Sequence, residues 1–151
     1  MIPVATEIRA MTADRSLPLR SPMTWVIAIV VLAFLLLGLR TVFFPASAAA
    51  FYGVPTTAPE ALSFVQAYGA RNIALSLLAA TLLVLDVRSG IVALLAYAAL
   101  IAVLDAWIVT SAAGLGAALK HFAYVVGLSG LALATAWTGR RAVVPPQSVL
   151  T

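Results

Sequence analysis

Apolar residues run along this chain in four long blocks, and polar residues collect between them. The first block, MTWVIAIVVLAFLLLGLRTVFF, occupies 23–44. Stretches of about 20 apolar residues mark helices that cross a bilayer. The spacing predicts four of them, at about 23–44, 58–85, 91–111 and 118–138. Pro45 should end the first span, because proline lacks the N–H that a helix interior needs, and 45–58 then read as a loop. Thr57-Ala58-Pro59-Glu60 has the form of a capping box with proline in the first turn, and should open the second span. Asp86–Gly90 reads as a polar turn, and Ser111–Ala117, with two glycines, as another short connection. Gly139 and the Pro145-Pro146 pair close the last span. Four spans with short links predict an all-α fold, an antiparallel four-helix transmembrane bundle over 22–138. Residues 1–21 form a polar tail and 139–151 a second, short one.

Composition agrees with this reading and narrows the chemistry. The chain is 64% hydrophobic and 9% charged, where soluble domains carry about 25% charged residues. A net charge of +4 does not point to nucleic acid, because the arginines are scattered singly rather than clustered. There is no cysteine and a single histidine, which excludes disulfides, thiol catalysis and multi-histidine metal sites. No nucleotide or phosphate loop appears, so no cofactor is implied. PASAAA at 45–50 resembles a signal-peptide cleavage site. The run before it exceeds the 7–15 residues or so of a signal core and contains Arg40, so it reads as a retained helix.

Flanking charge suggests orientation. Arg9, Arg15, Arg20, Arg88, Arg140 and Arg141 fall on one side and Lys120 on the other. Basic residues favour the cytoplasm, so the expectation is a multi-pass protein of the cell membrane with both termini cytoplasmic. Trp25 and Trp137 then lie at the inner boundary and Trp107 near the outer one, as interface aromatics do.

A few polar side chains interrupt the spans. At about 1.5 Å per residue, Arg40, Arg71, Asp105 and His121 all fall in the half of the bundle away from the termini. Tyr68 and Asn72 lie within about 100° of Arg71 on the helical wheel and are read as sharing its side. Ala98 and Ala102 flank Asp105, which suits a helix–helix contact. An ionised side chain at the centre of a span costs about 2.5–3.5 kcal/mol on insertion scales. Pairing of Arg71 with Asp105 is therefore expected. Two guanidiniums against one carboxylate leave positive charge over, which an anionic ligand head would balance. Each feature also has a structural reading: an ion pair that fixes packing, a snorkelling Arg40, a boundary anchor at Lys120, a capping His121 and a packing Tyr68. On the fourth span Ala123, Gly127, Gly130 and Ala134 make a small-residue stripe nearly opposite His121.

The stretches GLRTVFFPASAAAFYGVP (38–55), AYGARNIALSLLA (67–79), VLDAWIVTSAAG (103–114) and KHFAYVVGLSGLALA (120–134) resemble a family of small bacterial and fungal four-helix membrane proteins. That family is known only as a domain of unknown function, distantly similar to DoxX-like proteins. The resemblance covers about 25–138 and rests on Gly38–Arg40, Gly69–Arg71, the Phe51–Pro55 loop, Asp105 and His121. It implies the four-helix fold and this polar constellation, and no activity. The family pattern often places an aspartate after the second arginine, where this chain has Asn72.

The residues thus suggest a membrane-embedded site for a lipophilic or amphiphilic molecule with an anionic head. Arg40, Arg71, Asn72 and Tyr68 would bind it. Asp105 and His121 would act as acid and base if it is transformed by isomerisation, cyclisation or epoxide opening. The alternatives are an accessory subunit docked on a membrane partner protein through the stripe, or a homodimer or larger oligomer acting as a small transporter.

Overall fold

The structure, a computed structural model, describes Leu17 and residues 21–140. Most of the two tails assigned from sequence, residues 1–16, 18–20 and 141–151, lies outside the described residues, and the last helix runs two residues into the second tail. Five helices follow in order: α1 Pro22–Phe43, α2 Pro45–Tyr52, α3 Pro59–Val84, α4 Arg88–Ala113 and α5 Leu115–Arg140. Four of them, all but α2, are long and apolar enough to cross a membrane. The protein is an all-α, multi-pass membrane bundle, and large apolar side chains such as Ile29, Phe64, Val84, Val126 and Leu133 cover its outside.

Local chemistry sets the ends of these helices. Ser21 caps α1, its hydroxyl accepting from the Met23 N–H at 3.3 Å, with Pro22 in the first turn. Pro45 does end α1, but it also begins α2, where its missing N–H is harmless. The segment 45–58 is therefore half helix rather than all loop. Gly53 closes α2 with φ 113°, a conformation open to glycine. The capping box at Thr57 does not form. Ala58 is the N-cap of α3, and Thr56 accepts from the Ala58 N–H at 3.3 Å instead. The expected connection at Ser111–Ala117 shrinks to Gly114, at φ 85°, because α4 and α5 each run on to meet there.

α1 packs along α3 and α4 along α5, while α3 and α4 meet only lightly. The bundle is thus two helix pairs side by side. α1 and α3 cross where Gly38 and Gly69 face each other. A Cβ at Gly69 would lie 3.0 Å from the Gly38 carbonyl oxygen, and one at Gly38 would lie 3.1 Å from that of Gly69. The glycines of the two Gly-x-Arg motifs let two backbones touch. At the end nearer the termini, Ile27, Ile91, Leu95, Ala99, Leu128 and Ala132 form the core. Hydroxyls within the spans satisfy themselves on the preceding turn: Thr41, Thr81 and Thr135 each donate to the carbonyl four residues back, at 2.7, 2.9 and 2.7 Å.

Arg88 corrects another expectation. It is not part of the polar turn expected at Asp86–Gly90 but the buried first residue of α4. Its guanidinium donates to the Thr135 carbonyl from Nε at 2.9 Å and to the Thr138 hydroxyl from Nη2 at 2.6 Å, tying α4 to the last turns of α5. A planar fork reaches both acceptors; an ammonium does not present that geometry. Arg88→Met is expected to destabilise the bundle by about 1–3 kcal/mol, and Arg88→Lys to recover only part, as read by denaturant titration in detergent.

Candidate functional site

Between the two helix pairs lies a cavity of about 660 Å³, inside the range of about 300–1,000 Å³ typical of small-molecule sites. On α3 its lining extends from Ala61 to Ala79, roughly 27 Å along the helix. Most of the wall is apolar: Val30, Phe34, Leu75, Leu94, Ile101 and Leu128 stand on all four spans. The polar groups gather toward the end that α2 covers.

Asp105, on α4, is the centre of that polar end. One carboxylate oxygen accepts from the Tyr52 hydroxyl at 2.8 Å and the other from the Tyr68 hydroxyl at 3.2 Å. The tyrosine rings sit edge to face, with centroids 5.7 Å apart. Burial, and then the hydrogen bond to Asp105, push the Tyr52 phenol well above its ordinary range. Tyr52 therefore keeps its proton and remains a donor at physiological pH.

The expected ion pair between Arg71 and Asp105 does not form. Asp105 is satisfied by two tyrosines, and Arg71 is exposed, its guanidinium 4.9 Å from the centre of the Tyr68 ring. Helix geometry gives the reason. Tyr68 and Asn72 are four residues apart and lie about 40° from each other, so both face the cavity, whereas Arg71 stands about 100° round from Asn72. Arg40 also lies off the cavity. It donates to the Ser47 hydroxyl at 2.9 Å and stacks 5.0 Å from the Phe51 ring centre. Of the six residues singled out from sequence, Tyr68, Asn72, Asp105 and His121 line one cavity, and Arg40 and Arg71 do not.

Lys120 and His121 share a task that their positions did not reveal. A helix leaves its last carbonyls without partners. Those of α2 are taken by consecutive residues of α5: Lys120 Nζ donates to the Phe51 carbonyl, and His121 Nε2 to that of Tyr52 at 2.9 Å. Lys120 also lies 4.8 Å from the Phe51 ring centre. It is thus a tie between helices, not only a boundary anchor. Because a carbonyl can only accept, Nε2 carries hydrogen, and Nδ1 is the nitrogen of a neutral ring that can take a proton. The His121 ring stands between Tyr52 and Tyr124, at 4.8 and 6.0 Å.

Tyr52, Thr41 and Ser76 line the cavity without having been read as site residues in the sequence. Tyr52 lay in what read as a loop, although proline at 45 and glycine at 53 bracket a short helix in the usual way. Thr41 and Ser76, both buried, looked like isolated hydroxyls in apolar runs. Among the described residues no three of His, Asp and Glu come together as metal ligands would.

A family model described as "Domain of unknown function (DUF4267)" matches residues 31–137. The chain belongs to that family. The match covers α2, α1 from residue 31 onward, nearly all of α3 to α5 and every residue of the polar end described above. No curated protein and no solved structure matches the chain.

The small-residue stripe of α5 faces elsewhere. Ala123, Gly127, Gly130 and Ala134 line a shallower groove with Val26, Val30 and Ala33 of α1, and nothing stands within 4 Å of a Cβ built at Gly127 or Gly130.

Proposed function

We propose that this protein holds a lipophilic small molecule inside the membrane, between its two helix pairs, and that Asp105 and His121 give the site acid–base capacity. The observation that carries the reading is the long apolar cavity ending in the Tyr52–Asp105–Tyr68 cluster. Ionisable residues within membrane spans mark functional sites more often than packing. A carboxylate at the end of a greasy channel suits proton transfer to a substrate with few polar atoms, as in isomerisation, cyclisation or epoxide opening. Tyr52 and Tyr68 would hold the carboxylate in position, each giving it its one O–H. The basic flanks support a place in the cell membrane with both termini in the cytoplasm.

Purification in a mild detergent followed by native mass spectrometry tests the reading. The wild type should carry a lipophile of defined mass. Ala98→Phe, which fills the cavity from α4, should lose it while keeping the helical signal and thermal transition. A wild type that retains nothing and gains no stability from added lipophiles would sink the proposal. Stable co-purification with another membrane protein would favour the accessory-subunit reading instead.

A further inference from the structure

Two buried side-chain polar atoms lack a hydrogen-bond partner among the described residues, Asn72 Nδ2 and Thr110 Oγ1. Only Asn72 lines the cavity. It is 8% exposed, so its amide meets neither water nor lipid headgroups. The Tyr68 hydroxyl is close by, and its oxygen could accept while its hydrogen goes to Asp105, but Nδ2 does not reach hydrogen-bond geometry with it. Gln66, on the same helix but off the cavity, does find a partner, donating to the Val42 carbonyl at 3.1 Å. An unpaired buried donor is costly, about 1–3 kcal/mol, and such groups are rare enough to require a reason.

We propose that the missing partner is the occupant of the cavity: an uncharged lipophile whose carbonyl-type oxygen, as in an ester or ketone, accepts from Asn72 Nδ2. This inference rests on the cavity reading above and names the class of molecule that fits it. Asn72 Nδ2 can only donate, so the ligand must present an acceptor. Both oxygens of Asp105 already accept a tyrosine hydroxyl, so the ligand need not donate to them. Charge argues against an acidic head. Arg40 and Arg71 do not line the cavity, and the two basic side chains of the described spans that do are already engaged, Lys120 with the Phe51 carbonyl and His121 with that of Tyr52. A carboxylate or phosphate would sit beside Asp105 without a cation of its own. Ser76, one turn beyond Asn72, brings a hydroxyl to the same wall, and from there to Ala79 and Leu94 the lining is apolar and suits a hydrocarbon tail.

Three probes of equal chain length separate the cases: methyl palmitate, hexadecane and palmitate, each added to the delipidated full-length protein in detergent. Binding is read by native mass spectrometry and by thermal shift. The wild type should prefer methyl palmitate to hexadecane by about tenfold and should bind palmitate more weakly than its ester. Asn72→Leu should erase the preference for the ester while still binding hexadecane, and Asn72→Ala should do the same if leucine crowds the site. Equal binding of ester and alkane by the wild type, tighter binding of palmitate, or an unchanged preference in both variants would overturn the assignment and leave the cavity reading standing. Failure of all three probes to bind the wild type would remove the cavity reading itself.

Discussion

Gly69→Ala is expected to destabilise the bundle by about 1–3 kcal/mol, although alanine is the better helix former. The new methyl carbon would stand 2.8 Å from the Thr41 Cβ and 3.0 Å from the backbone oxygen of Gly38. Neither atom is the free end of a flexible side chain. Relief requires α1 and α3 to move apart along their whole contact, and in lipid that contact is held by close packing rather than by the hydrophobic effect. Gly127→Ala supplies the control. Nothing lies within 4 Å of its added carbon, so only helix propensity changes, worth about 1 kcal/mol in favour of alanine in aqueous helices. Opposite signs for two identical substitutions, measured by unfolding in mixed micelles, would establish the crossing. Equal effects would show that α1 and α3 do not meet at Gly69.

Asp105→Ala should be at least as damaging, at roughly 3 kcal/mol or more, since hydrogen bonds to a charged group contribute about 1.5–3 kcal/mol each. The alanine variant would strand the hydroxyls of Tyr52 and Tyr68 in a buried site. Asp105→Asn keeps a carbonyl for one tyrosine and should lie between the two. The decisive measurement is a double-mutant cycle with Tyr52→Phe. Coupling of about 1 kcal/mol or more is expected, because the two groups share a hydrogen bond. Additive effects would mean that Tyr52 and Asp105 act independently, and that α2 is not anchored through the cluster.

The fold was legible because a membrane span leaves few options. About 20 apolar residues in a row need internal hydrogen bonds, and a helix supplies them. The level of the polar groups was legible too, from the rise per residue. Partners were harder to read. Arg71 was paired with Asp105 on charge and depth alone, yet a helical wheel resolves facing only to within a fraction of a turn. The two tyrosines satisfied the carboxylate at less cost in desolvation than a guanidinium would have incurred. α2 was hidden because PASAAAFY is short and its mean pattern resembles a loop of small residues. What reveals it is the pair of punctuating residues, Pro45 and Gly53, rather than any periodicity. Asn72 was noted for its place beside Arg71, but its unpaired nitrogen could emerge only from three-dimensional packing.

α2 belongs by chain connection to the α1–α3 half, yet its tail end is fastened to the other half. Asp105 takes the Tyr52 hydroxyl, and Lys120 and His121 take its last two carbonyls. Elsewhere α3 and α4 touch lightly and share only the turn at 85–87. The short helix thus works as a clasp across a folder hinged at that turn. Cohesion between the leaves combines the apolar core, where Ile27 of one meets Ile91 and Leu128 of the other, with a few polar stitches at the opposite end, so the clasp secures the end that the core does not reach.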